Sequence, residues 1–186
     1  MGSGIRLEFE AHKKRFDMMQ ARTLVTAFLT FALSGGAALA QTPTLIEQFK
    51  DWAAYSYGGA KGKVCYALSK PTQMSPSDRN HGDVFFFVSN RPSEGVINEP
   101  MVMVGYPFKE GSSVTVDVDG TKFTLFTKGD GAWVENAAQE KQLVAAMKAG
   151  RAMTVSGESG RGTQTSYRYS LSGVTAAIGA ADKACN

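Results

Sequence analysis

The amino-acid sequence predicts a mainly β fold, an antiparallel β-sandwich of jelly-roll type with two peripheral α-helices and one disulfide. Three observations lead there. About eight short runs are rich in β-branched and aromatic residues, most are joined by turns of hairpin length, and only two stretches switch to helix-forming composition.

The first run, FKDWAAYSY from Phe49 to Tyr57, and the second, VCYALS from Val64 to Ser69, flank a glycine-rich turn and read as a hairpin. A polar loop, PTQMSPSDRNHGD, leads to VFFFVS, a continuous apolar run of the kind found in strands buried on both faces. RPSEGVINE then turns the chain, MVMVGY forms the next strand, and Pro107 ends it. In SVTVDVDGTKFTLFT, alternating β-branched residues flank Asp119-Gly120, a dipeptide suited to the two positive φ angles of a type I′ turn.

Residues 137–148 are helix-forming, with Asn136 as N-cap, Gly150 as the stop, and Leu143, Val144 and Met147 as the buried stripe. AMTVSGES and TQTSYRYSL pair across Gly160-Arg161-Gly162. The chain closes with a helix from Gly173 to Cys185, capped by Ser172, with Val174, Ala177, Ile178 and Ala181 facing inward.

Ahead of these elements lies an export signal. Arg22 precedes an uncharged apolar stretch from Leu24 to Leu33, and SGGAALA follows with small residues at Ala38 and Ala40, so cleavage is expected between Ala40 and Gln41. The apolar stretch is about half the length a membrane-spanning helix needs. Residues 1–17 precede an unusually late basic region, and Met18 or Met19 would make a more ordinary start. The expected organisation is a removed segment of residues 1–40 and one domain of residues 41–186.

The leader also distorts the apparent charge. It carries five of the 20 basic and three of the 17 acidic residues, which leaves a mature net charge of +1. That near-neutral domain has no electrostatic basis for binding nucleic acid. Both cysteines, Cys65 and Cys185, lie in the mature part, and export makes a disulfide the first reading, with two free thiols as the alternative. A bridge would close a loop of about 120 residues, worth roughly 4–5 kcal/mol on chain entropy.

Chemistry-bearing motifs are sparse. His81 is the one histidine after the leader; it sits in a polar loop, lacks a second histidine or spare cysteine for a zinc set, and reads as a solvated residue. Ser159 approaches a nucleophile elbow but lacks the second glycine and the strand-to-helix setting. The Gly58–Lys63 stretch has no P-loop spacing, and Asp117, Asp119 and Asp130 read as turn residues rather than calcium ligands. Trp52, Tyr55, Tyr57, Phe85, Phe86, Phe87 and Trp133 could line a sugar or peptide groove, although core packing is the readier explanation. No cofactor or metal is expected.

Together DWAAYSY, KVCYALSKPTQ, NRPSEGVINE, GYPFKEGS, VDVDGTKFTLFTKGDGAW, LVAAMKAGRAMTVSG, GTQTSYRYSLSGVTAAI and DKAC resemble the invasion-associated locus B family of Gram-negative bacteria, from Phe49 to Cys185. The resemblance implies an exported, mainly β protein that is periplasmic, associated with the outer membrane or secreted, with a link to host-cell entry and no established enzymatic activity. Cys65 and Cys185 match the positions expected to pair. Arg91 and Glu99 flank one loop, Asp130 and Trp133 lie on another, and these four are the candidate binding surface.

Three functions compete, one of them a secreted virulence factor acting on host cells, which differs from a binding protein of the envelope in destination. A binding or envelope-interaction protein, whose partner is an unidentified protein or envelope glycan, would present a flat or convex apolar surface. An enzyme acting on envelope polymers would instead hold convergent acids with perturbed pKa values in a concave pocket near Arg91, Glu99 or Asp130.

Overall fold

The computed structural model describes residues 42–59 and 61–186; the expected leader and its Ala40–Gln41 cleavage site lie outside the described residues. In chain order the strands are β1 Thr44–Phe49, β2 Trp52–Gly59, β3 Gly62–Ser69, β4 Gln73–Ser75, β5 Phe85–Arg91, β6 Val96–Met103, β7 Ser113–Val118, β8 Thr121–Lys128 and β9 Gly131–Val134. Helix α1 (Ala137–Ala149), β10 (Ala152–Glu158), β11 (Gln164–Ser170) and α2 (Val174–Cys185) follow.

All eleven strands join one antiparallel ladder in the order β1-β2-β3-β5-β6-β9-β8-β7-β10-β11-β4. The ladder doubles over, so β2 and β5 face β11 across the core. The Trp52 indole donates to the Ser170 carbonyl at 2.9 Å, and Phe86 meets Trp52 at 6.3 Å and Tyr169 at 5.9 Å in edge-to-face contacts. Both halves and both helices share this core. Leu143, Val144 and Met147 of α1 and Val174, Ala177 and Ile178 of α2 pack into the same cluster as Phe86, Val116, Leu125 and Tyr167.

The mainly β fold, the two helices and the Cys65–Cys185 bridge are those the sequence predicts. Asp119 and Gly120 adopt φ of 46° and 97°, as the β7–β8 turn requires. The Asn136 side chain accepts from the Gln139 amide at 3.0 Å and caps α1.

Other local expectations need correction. β1, β4 and β9 were not anticipated: β1 is exposed along most of its length, β4 has three exposed residues, and β9 opens on Gly-Ala. Phe49 belongs to β1 rather than β2, and Val96–Glu99 is strand rather than turn. Pro100 is tolerated inside β6 because the pairing with β9 begins only at Met101. Gly150 stops α1 with an ordinary φ of −82°; its lack of a side chain matters because a Cβ would stand 2.7 Å from Val118. Ser172 does not cap α2. Gly173 does, at φ 97°, and a Cβ there would collide with the Phe49 carbonyl oxygen.

The disulfide ties β3 to the last residue of α2, with Cα atoms 5.8 Å apart and 120 positions between the cysteines. Lys63 donates to the Ala184 carbonyl beside it. Among the described residues, no helix is long and apolar enough to cross a membrane. Replacing both cysteines by alanine should leave the β circular-dichroism spectrum intact and lower the urea unfolding free energy by about 2–4 kcal/mol. Unchanged stability would show that the bridge constrains nothing.

Candidate functional site

In β5 the burial alternates strictly, with Phe86, Val88 and Asn90 buried while Phe85, Phe87, Ser89 and Arg91 face out. The FFF run is therefore not a strand buried on both faces. Phe85 and Phe87 belong to a second apolar layer that no other element covers completely.

Register extends that layer across five strands. Leu68 pairs with Phe87, Phe87 with Met101, Met101 with Trp133 and Trp133 with Phe126, each on its own strand from β3 through β5, β6 and β9 to β8. At ordinary strand spacing the row is about 20 Å long. Tyr55 and Tyr66 stack at 5.5 Å beside one end, and Tyr66 meets Phe87 at 5.7 Å. Phe126 and Trp133 stack at 6.0 Å at the other end, where Phe126 is 46% exposed. Phe85 lies 5.7 Å from Phe87, with the Lys70 ammonium 5.0 Å above its ring. Burial, with Tyr55 alongside, pushes the Tyr66 phenol up.

The outer face of the other half-sheet is polar. Thr115, Asp117, Lys122, Thr154, Ser156 and Arg168 line a shallow groove of about 580 Å³ there. Asp117 accepts from the Gly120 amide at 2.7 Å and Asp119 from the Arg151 amide at 2.8 Å, so both carboxylates are occupied in turns.

The four predicted surface residues do not converge. Trp133 is in the aromatic row. Glu99 lies one outward position from Met101 and accepts from the Arg91 guanidinium at 2.9 Å; Glu94 accepts from Arg91 Nε, also at 2.9 Å. Burial works against the Arg91 charge, but the bonds from Glu99 and Glu94 more than offset it. Glu140 at the start of α1 is raised by burial and by Glu99, against the pull of Arg91. These acids surround one cation on a sheet face, and they line neither the groove at Arg168 nor the cavity beside Tyr106 described below. Asp130 is at the opposite end of the β5–β6 hairpin, in the β8–β9 turn, where its carbonyl accepts from the Val104 amide at 3.0 Å.

Trp52 and Phe86 are core residues, as expected of most aromatics; Tyr55, Tyr66, Phe85, Phe87, Phe126 and Trp133 are not. Phe126, Met101 and Tyr66 were missed as surface candidates, although one signal for them was present: β5 and β6 are apolar at both alternating sets of positions, whereas β7, β10 and β11 alternate apolar with polar. His81 is also corrected. It is 5% exposed, with Nδ1 at 2.9 Å from the Tyr167 hydroxyl and Nε2 at 2.9 Å from the Pro76 carbonyl, because the loop after β4 folds back over β11.

Gly131 explains how Trp133 lies. Both residues point outward from β9, and a Cβ on Gly131 would run into the indole ring. Gly131→Ala should therefore lift the ring at a cost of about 1–2 kcal/mol. With both tryptophans fluorinated, the Trp133 ¹⁹F resonance should move while that of Trp52 stays; movement of both, or of neither, contradicts this packing.

Comparison with known proteins agrees with the fold. Residues 52–182 match the family model described as Invasion associated locus B (IalB) protein. A search of curated proteins finds no match. Among solved structures, the chain is similar to invasion associated protein b from Bartonella henselae, with a TM-score of 0.54 and 15% identity over 76% of this chain and 97% of that one. With the family model spanning most of the chain and a neighbour sharing the architecture, this chain belongs to the invasion associated locus B family.

Proposed function

We propose that the chain is exported, loses residues 1–40 at the Ala40–Gln41 bond, and acts as a single-domain, non-catalytic binding protein of the cell envelope. It works in the periplasm, at the outer membrane or after secretion, and it docks its partner on the aromatic row. The observation that carries this reading is the row itself: five register-matched apolar residues on the open face of a disulfide-bonded sheet. Monomeric proteins rarely leave such a continuous apolar strip without a use, and aromatic side chains dominate binding surfaces.

Several facts support this reading over an envelope-polymer hydrolase. The acids nearest the row are drawn into ion pairs with Arg91, and the surface around them is a sheet face rather than a cleft. The disulfide suits an oxidising compartment. Host-cell entry, which the family's name carries, is then a consequence of what this face meets.

Photocrosslinking amino acids placed at Phe126 and Trp133, in cells that carry the protein natively, test the idea. Both positions should give discrete crosslinked species, whereas Thr154 and Arg168 on the polar half should give none. Equal crosslinking from both halves, or none from the aromatic row, would remove the basis for the proposal.

A further inference from the structure

A second feature lies away from the aromatic row. Five polar side chains are buried among the described residues, namely Ser69, His81, Asn90, Ser159 and Thr165. Three of them, His81, Ser159 and Thr165, line one cavity of about 820 Å³. Each is hydrogen-bonded within the protein, which fixes the polar side chains that face the cavity. The volume is that of a small-molecule site and far exceeds what one phosphate or water fills.

The cavity is preformed by three segments bonded to one another. The loop before β5 is tied to the segment after β6 by the Gly105 amide, which donates to the His81 carbonyl at 3.1 Å. A Cβ on Gly105 would stand 2.6 Å from both Gly82 Cα and that carbonyl oxygen, so only a bare backbone permits the approach. The β10–β11 turn joins them through the Gly160 amide, which donates to the Pro107 carbonyl at 2.9 Å.

Beneath the cavity runs a chain of hydroxyls ending on His81, of which Tyr106, Thr165 and His81 reach the lining. Its links are His81 to Tyr167 at 2.9 Å, Tyr167 to Tyr106 at 2.6 Å, Tyr106 to Thr165 at 2.7 Å, and Thr165 to the Gly157 carbonyl at 3.1 Å. Burial, then the neighbouring Tyr106, push the Tyr167 phenol far up, so its proton stays. The Pro76 carbonyl can only accept, hence Nε2 of His81 carries a proton. Tyr106 donates to Thr165, and Thr165 donates to the Gly157 carbonyl. Tyr106 and Thr165 spend their protons within the protein and offer lone pairs, whereas Ser159 accepts from the Thr163 amide at 3.1 Å and has its own proton to give, so the floor can both accept from and donate to ligand hydroxyls.

The rim has the opposite character. Arg79 and Arg161 both line it with exposed guanidinium groups, against a single carboxylate, Asp78. Asp78 stands 3.9 Å from Arg79 Nε with both side chains mostly exposed, too far to form a hydrogen bond. Among the described residues Arg161 forms no ion pair.

We propose that this cavity binds one acidic sugar, a pyranose bearing a carboxylate or a phosphate, with its acid group between Arg79 and Arg161 and its hydroxyls hydrogen-bonded to the floor. A bare anion would leave the hydroxyl floor unused, and a neutral sugar would leave the rim cations unmet.

Calorimetric titration of the oxidised protein with glucuronate, glucose 6-phosphate, glucose and inorganic phosphate tests this. Glucuronate, glucose 6-phosphate or both should bind at least about tenfold more tightly than glucose and phosphate, and the tighter of the two identifies the acid group. Arg79→Gln with Arg161→Gln should abolish that preference without changing Tm. The control pair Lys122→Gln with Arg168→Gln removes the same charge from the polar groove and should leave binding unchanged. Phosphate or glucose binding as tightly as the acidic sugars, equal loss in the control pair, or no binding by any probe would overturn the assignment.

Discussion

The period of two along a β-strand is the constraint on which the rest depends. Once Phe86, Val102, Ala132 and Leu125 turn into the core, their neighbours Phe87, Met101, Trp133 and Phe126 must turn out. Antiparallel register then lines those neighbours up. A slip of one residue in any pair would send the outward set inward and break both layers, so the row is held as firmly as the core it backs. The binding face is in this sense a by-product of packing: it needs no loop to fold correctly, only the ladder.

The same ladder separates two kinds of chemistry. On one half, apolar side chains occupy both faces; on the other, threonine, serine and charged residues cover the outside. At the ends of β6 and β10 the chain leaves the ladder, and there buried hydroxyls collect beneath Arg79 and Arg161. The Cys65–Cys185 bridge and the Trp52–Ser170 hydrogen bond close the molecule from opposite directions, one fastening α2 to β3 and the other fastening β2 to β11. Both tie segments more than a hundred residues apart, but only the covalent bridge also limits the unfolded chain.

How much of this was legible in the sequence follows from how local each signal is. The β7–β8 hairpin and α1 announce themselves because the turn residues Asp119-Gly120 and the cap Asn136 act within a few positions. The inward residues of α2 follow from spacing alone. By contrast β4 is three polar residues that become a strand only because β11 is there to pair with them. The burial of His81 depends on that same pairing, so its loop composition suggested solvent where the fold supplies Tyr167 and the Pro76 carbonyl. The apolar run in β5 reads as doubly buried, since hydrophobicity does not distinguish a second protein layer from a face left open for a partner. Of the proposed surface residues, Trp133 falls in the row. Arg91 and Glu99 form an ion-pair cluster beside it, and Asp130 lies in the opposite turn.

Family membership fixes what the molecule is related to, and the aromatic row is what the geometry adds. The most direct measurement of the central claim is hydroxyl-radical footprinting of the purified protein against the same protein in its native envelope. Trp133, Met101 and Phe126 should be oxidised in the purified protein and protected in the envelope, while Met74, 42% exposed at the far edge of the ladder, should react in both. Equal oxidation of the three row residues in the two settings would mean that nothing docks there.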